Sequence, residues 1–409
     1  MDLTETTQNI VQINVESNFG STGKICENIS TYLLEHTYES HIAHGPIHRA
    51  SDSNTIKIGN KKDYYLHILQ TRIFDKHGIG SVGATKDFLK KLEELKPNII
   101  HLHNIHGYYI NYELLFQFLK SSNVPVVWTL HDCWAFTGHC THFEYVGCEK
   151  WKTECNKCPL THKYPASWFV DRSLKNFQQK KEAFTSLSNL TLVPVSKWLA
   201  RKVKDSFLGI HPTKTITNGI DVEIYKPTSS TTYNTKKGWT KYSIILGIAS
   251  VWDTTKGWED FVKMASLLKE DERIVLVGLN KKQIELLPKN IIGLERTESK
   301  EELIQLYSLA EVFMNLTYAD TYPTTNLEAL SCGTPVITYN TGGSVEEITD
   351  YNGAIIAQGD YKEAYITFTR MKEKFKKNNS LTIRKNAEEK FDKKIQLKKY
   401  GELYQSLLV

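Results

Sequence analysis

No apolar run in these 409 residues approaches the roughly 20 that a helix needs to cross a bilayer, so no membrane-spanning helix is expected. The start, Met1-Asp-Leu-Thr-Glu-Thr-Thr-Gln8, is polar and acidic where a signal peptide would be basic and then apolar. It predicts a cytoplasmic protein. Basic stripes interleaved with stacking aromatics are missing and the net charge of +5 is mild, so no nucleic-acid partner is expected. Internal repeats and long low-complexity tracts are absent as well, which leaves an ordinary globular chain.

What is present is alternation. Short β-branched runs at 10–15, 41–44, 99–103, 124–130, 191–195 and 214–217 are separated by amphipathic stretches. The second half repeats the pattern with runs at 243–249, 273–277, 291–294, 312–316 and 335–338. Such alternation predicts an α/β protein with parallel sheets. The length suits two domains of about 150–200 residues each, and the polar stretch Pro227-Thr-Ser-Ser-Thr-Thr-Tyr-Asn-Thr-Lys-Lys-Gly238 reads as the linker. We therefore expect domains at 1–225 and 240–390, with a last helical segment at 391–409.

In the segment Asp320-Thr-Tyr-Pro-Thr-Thr-Asn-Leu-Glu328, two carboxylates stand eight positions apart around a turn that becomes a helix. A helix start offers unpaired N–H groups and a partial positive charge, which suit a phosphate. Carboxylates beside it suit hydroxyls instead, and a ligand carrying both groups is a sugar nucleotide. The segment resembles the E-x7-E signature of retaining GT-B glycosyltransferases of family 4, with Asp in the first acidic place. Further residues carry the same resemblance in the same order. They are the loop Asn18-Phe-Gly-Ser-Thr-Gly23 after the first strand, His131 at a strand end, the turn Asn218-Gly-Ile-Asp221, Lys256, Cys332-Gly-Thr-Pro335 and Gly342-Gly-Ser344.

The resemblance implies the GT-B plan: two Rossmann-like domains whose parallel sheets face a central cleft, with the last helix crossing back to the first domain. It implies that Glu328 binds ribose hydroxyls and that Asp320 lies near the transferred sugar. Thr324, Thr325 and the N–H groups of Asn326 and Leu327 would cradle the distal phosphate, helped by Gly20, Ser21 and Thr22. Lys256 would neutralise the departing diphosphate, and His131 would face the donor sugar. Val251 stands where many relatives have an Arg, and Arg296 is read as its substitute. His103 and Asn104 end another strand and are read as lining the acceptor side rather than holding a metal.

The implied activity is retaining, hexosyltransferase-type transfer from a nucleotide-diphosphate sugar to a glycan or lipid-linked acceptor in surface polysaccharide biosynthesis. It requires no cofactor, and the lack of an Asp-x-Asp triplet agrees with metal independence. The alternative is a non-catalytic sugar-nucleotide-binding or scaffold protein, which Val251 and the shorter Asp320 keep open.

Two features lie outside this scheme. Cys140, Cys148, Cys155 and Cys158 crowd one stretch, the last pair at the x2 spacing that suits tetrahedral zinc. A structural zinc is favoured there over free or redox-sensitive thiols. Lysines gather near the C-terminus, at Lys372, Lys374, Lys376, Lys377, Lys393, Lys394, Lys398 and Lys399. A solvated helix face is favoured for them over peripheral contact with the inner membrane face.

Overall fold

A computed structural model describes residues 7–374 and 380–408. The first six residues of the polar start and the expected cations Lys376 and Lys377 lie outside that range, as does the Lys374 side chain. The chain divides into two compact units, one of Met1–Thr217 with Leu397–Val409 and one of Asn218–Gln396.

Unit 1 contains β1 (Asn9–Ser17), β2 (Glu39–His48), β3 (Asn54–Lys57), β4 (Ile99–Leu102), β5 (Val126–Leu130) and β6 (Leu190–Pro194). They form one parallel sheet in the order β3-β2-β1-β4-β5-β6. Unit 2 contains β7 (Ser243–Ile248), β8 (Glu272–Val277), β9 (Ile291–Leu294), β10 (Val312–Asn315), β11 (Val336–Tyr339) and β12 (Gly353–Ile356). Read from its β9 edge, its parallel sheet runs β9-β8-β7-β10-β11-β12. Both sheets thus share the doubly wound order, in which the first strand pairs with the fourth and the direction of winding reverses between them. Ligands of such sheets sit beyond the strand ends at that reversal.

The central strands are apolar on both faces because helices cover both. In unit 1, Ile10, Ile99, Val127 and Val193 pack on Ile25, Ile29 and Leu33 of the helix Gly20–Glu35. The last helix, Lys393–Leu407, places Leu397, Tyr400, Leu403 and Tyr404 in the same core. That three-to-four spacing is one helix face. Tyr400 and Tyr404 also bond Thr129 and His101 at 2.9 and 2.7 Å. In unit 2, Ile245, Leu276, Met314 and Ile337 pack on Phe261, Met264 and Phe368.

Some local expectations change. The run 214–217 is not a strand; it adds an isolated bridge at Thr213 and two backbone bonds to Leu192 and Pro194. The expected linker contains the helix Thr231–Lys237, whose Tyr233 packs on Trp239 and bonds Glu302 at 2.9 Å. The turn Asn218-Gly-Ile-Asp221, read with the first domain, falls in unit 2. Strands β3 and β12 were not foreseen, nor was the helix Lys61–Phe74, although Asn60 and Asp63 form a capping box at its start.

Candidate active site

The strand-end reversal of unit 2 lies between β7 and β10, and it brings Lys256 and Asp320 together. After β7, Asp253 accepts from the N–H groups of Thr255 and Lys256 at 2.8 and 3.2 Å, folding a short turn. Gly257 follows at φ 74°, where an added Cβ would lie 2.1 Å from the Leu316 carbonyl oxygen. Only glycine lets the two loops approach this closely. From the other side, Tyr318 N–H and the Thr317 hydroxyl donate to the Thr255 carbonyl at 2.7 and 3.1 Å. So laced, the loops set Lys256 Nζ 2.8 Å from Asp320 Oδ2. Both side chains are partly exposed. Gly343 N–H donates to the Asp320 carbonyl, and a Cβ on Gly342 would stand 1.8 Å from that oxygen. The Gly342-Gly343 pair therefore fixes the backbone of Asp320.

The helix Thr324–Ser331 starts behind Pro323, with no side chain capping it. Thr324 and Thr325 are half-buried at its open end. The Asn326 side chain is fully buried, accepts from Asn315 at 3.0 Å and donates to the Ser344 carbonyl at 3.4 Å. Leu327 is a core residue. The Asn326 N–H, expected to help cradle the phosphate, donates to the Pro323 carbonyl at 3.2 Å instead. Glu328 Oε2 accepts the Tyr307 hydroxyl at 2.8 Å, and burial, reinforced by Glu328, holds that phenol well above its usual range. Asn218 donates to the Tyr322 carbonyl at 3.1 Å, bracing the segment just ahead of the helix. Arg296 is exposed in the loop after β9, and among the described residues no hydrogen bond or ion pair ties it to Lys256 or Asp320.

Sequence reasoning missed Glu347. Its carboxyl is fully buried, and among the described residues neither oxygen has a partner at good hydrogen-bond geometry; burial pushes its pKa well up, the nearby Asn326 amide opposing this and Asp320 adding to it. A buried acid in this position is held neutral. Nothing in its sequence neighbourhood, Val345-Glu-Glu-Ile348, distinguishes it from a surface carboxylate.

In unit 1 the strand ends carry stacked imidazoles where unit 2 has a lysine–carboxylate pair. His103, after β4, stacks on His131, after β5, with 3.1 Å between Nδ1 and Nε2. Gln12 donates through Nε2 to the Cys26 carbonyl, which leaves its Oε1 to accept from His103 Nε2 at 3.2 Å. That network assigns the proton of His103 to Nε2, and Nδ1 then accepts from His131 Nε2–H. Burial lowers His131 to about 4 and His103 well below its usual value, so both are neutral near pH 7. Asp132 pairs with His106 at 2.9 Å; burial opposes its ionisation, yet His106 outweighs that and holds it at about 2. Asn104 N–H donates to Asn14 Oδ1, and Asn14 reaches Thr22. Gly20 and Ser21 are exposed at the uncapped start of the helix Gly20–Glu35. Glu16 shares this loop, its Oε2 lying 2.5 Å from where a Gly20 Cβ would be. The loop thus offers N–H groups and a carboxylate together.

The four cysteines Cys140, Cys148, Cys155 and Cys158 line one small cavity with His139 and Trp151. Cys140 shares its thiol proton with Cys158, which holds Cys158 down at about 7, while burial raises Cys155 to about 11. Among the described residues no three Cys, His, Asp or Glu side chains are grouped so as to hold a metal. The ligand types expected for zinc share a cavity, but as they stand they form a thiol cluster. Lys180 secures the turn above it from a fully buried position, donating to the Trp134 and Thr137 carbonyls at 2.8 and 3.0 Å.

Comparison with known proteins agrees with this layout. Residues 23–224 match the family described as Glycosyltransferase Family 4, and residues 230–389 match Glycosyl transferases group 1. A curated relative, the putative colanic acid biosynthesis glycosyl transferase WcaC of Escherichia coli K12, is 23% identical over 371 residues, covering 86% of this chain and 87% of that protein. Among solved structures, sucrose-phosphate synthase from Thermosynechococcus elongatus superimposes with a TM-score of 0.71 at 15% identity, covering 98% and 99% of the two chains. HepE of Anabaena in complex with UDP gives 0.68 at 13%, covering 98% and 100%. The chain has the GT-B fold and belongs to the glycosyltransferases of family 4.

Proposed function

We propose that this glycosyltransferase moves a sugar from a nucleotide-diphosphate sugar to a glycan or lipid-linked acceptor in surface polysaccharide assembly, with retention at the anomeric carbon and without a catalytic metal. The observation that carries the reading is the Lys256–Asp320 pair at the strand-end reversal of unit 2, next to an uncapped helix start. A cation and a set of N–H groups suit a diphosphate, while Asp320 and Glu328 suit hydroxyls. That HepE was solved with UDP supports a nucleotide donor for this fold, and the WcaC likeness supports the polysaccharide context.

In the reaction the bond from the anomeric carbon to the phosphate oxygen breaks as the acceptor oxygen bonds the same face. The acceptor proton passes to the leaving diphosphate. The largest demand is stabilising the charge that builds on the diphosphate, which preorganised cations and N–H dipoles meet. Lys256 and the open N–H groups at the uncapped start of the helix Thr324–Ser331 supply this. Asp320, held by Lys256 through Oδ2, orients the sugar hydroxyls, and Glu328, steadied by Tyr307, takes the ribose. His131 offers a neutral imidazole at the strand ends of unit 1.

The test is Asp320→Ala, assayed for nucleotide binding and for transfer. Retained binding with transfer lost by about 10³-fold or more is expected. Full turnover by this variant would remove Asp320 from the sugar side.

A further inference from the structure

The helix Lys61–Phe74 in unit 1 is packed inside out. It buries His67 and Thr71, and it exposes Tyr65, Leu66, Leu69 and Phe74. His67 explains the inward polarity, because its Nε2 accepts from Gly78 and Gly80 N–H and its Nδ1 meets Ser81. Nothing of that kind explains the outward residues. Tyr65 is 64% and Leu66 50% exposed, and a buried polar face does not require an apolar outer one.

The apolar surface continues past the helix. Trp168 N–H donates to the Arg72 carbonyl at 2.7 Å and Arg72 reaches back to the Ala166 carbonyl, so the loop 166–170 is tied to the helix's last turn. That loop presents Trp168 and Phe169, 63% and 78% exposed and packed edge to face, followed by exposed Val170. On the other flank, Leu66, Phe74 and Val82 line a groove of about 490 Å³. An apolar face of this extent on one unit marks an interaction site.

Charge selects the occupant. Lys61, Lys62, Arg72 and Lys76 lie along or just past the helix, with Lys76 over the Phe74 ring. Of the acids there, Asp75 is fully buried and paired with His139 and Asp63 is held in the cap, while Glu113 lines the groove and Asp171 follows Val170. Along the helix itself the cations outnumber the open acids, and aromatic and leucine side chains with lysine and arginine beside them are the composition that lies in the headgroup region of an anionic bilayer.

We propose that this face of unit 1, the helix Lys61–Phe74 with the loop 166–170, docks on the surface of a membrane containing anionic lipid. The contact lies elsewhere than on the C-terminal lysines. Lys393 is engaged by Asp221 at 2.7 Å, Lys372 by Asp271 at 3.6 Å, and Lys398 and Lys399 form the wet side of a helix whose other face is core. Two residues before the docked loop stands Tyr164, whose hydroxyl meets His106 at 3.3 Å, and His106 pairs with Asp132 beside His131. A bilayer-held acceptor would therefore reach the imidazole end of unit 1 along this loop. The docking itself rests on the exposed face and is independent of which sugar is moved.

Flotation of the full chain with vesicles tests it, comparing phosphatidylglycerol mixed equally with phosphatidylcholine against phosphatidylcholine alone. The wild type is expected to float with the anionic vesicles and to release as salt is raised. The fourfold variant Leu66→Gln, Leu69→Gln, Trp168→Gln, Phe169→Gln, with an unchanged melting temperature, should lose binding by about tenfold or more. Lys61→Gln with Lys62→Gln should lose less and only on anionic vesicles. Equal binding by wild type and the fourfold variant, or no binding by either, overturns the proposal. So does a wild-type dimer in sedimentation that the variant abolishes while no vesicle is bound, since the face would then cover a second copy of the chain.

Discussion

The two units fold to one strand order and place their sites at the same topological position, yet they furnish those positions with opposite electrostatics. Unit 2 presents a partly exposed cation and carboxylate, Lys256 and Asp320, held 2.8 Å apart by two loops laced through the Thr255 carbonyl. Unit 1 presents stacked imidazoles, His103 and His131, which burial keeps neutral. A departing diphosphate needs fixed charge. A sugar and an incoming hydroxyl need hydrogen-bonding groups instead. One topology can serve both needs because the strand ends are loops, free to vary while the sheet stays the same.

Breaking the charged side should have the largest effect. Lys256→Ala is expected to lower kcat by about 10²–10³-fold, the range for removing one preorganised donor to a developing anion, with a smaller change in KM. Steady-state kinetics against Lys256→Arg, which keeps charge, checks it. Next comes the backbone beneath Asp320. Gly342→Ala forces a Cβ toward the Asp320 carbonyl at a φ of 56°, and we expect a loss of about 2–4 kcal/mol in urea unfolding.

The contrast can also be read in pH. His101, His103 and His131 fall from an ordinary 6.5 to about 3, well below, and about 4, all through burial. Below pH 6.5 the unfolded chain then binds more protons than the folded one, so stability is full above 6.5 and falls as the pH drops toward 4. Glu347 has the opposite sign: its pKa is raised from 4.5, so its contribution is full below 4.5 and is lost as the pH rises. Thermal melts across pH 4–9 should show His103→Gln flattening the acid limb and Glu347→Gln flattening the rise-of-pH loss. The smallest effect belongs to Tyr307→Phe, which removes one hydrogen bond to Glu328 and should weaken nucleotide binding by about 1 kcal/mol, measured by calorimetry.

The same comparison shows what a sequence makes legible. The apolar central strands and the Lys256, Asp320 and Glu328 positions are readable, because a strand buried on both faces has a run of β-branched residues and a turn-to-helix start has its own spacing. Strands β3 and β12 escape because both are four-residue edge strands, β3 exposed along most of its length and β12 with only Ile356 buried, too short a pattern to mark a strand. The bridge that the Asn326 side chain makes between Asn315 and Ser344 is not legible, because its partners lie eleven and eighteen residues away and meet only in the fold. The partnership of Gln12, His103 and His131 depends on residues far apart in sequence, which meet only when β1, β4 and β5 are side by side. The inverted helix Lys61–Phe74 hid for a related reason: its apolar residues fit no core-facing stripe because they do not face the core.

The measurement that bears most directly on the account is a thermal-shift panel of UDP-, GDP-, ADP- and CMP-sugars, without added metal, on the wild type and on Glu328→Ala. A ligand bound only by the folded state at 100 times its Kd adds about 2.7 kcal/mol. The account predicts that one nucleotide class raises the Tm of the wild type and that Glu328→Ala loses most of that rise. A flat panel at millimolar ligand, or an equal rise in Glu328→Ala, would contradict it.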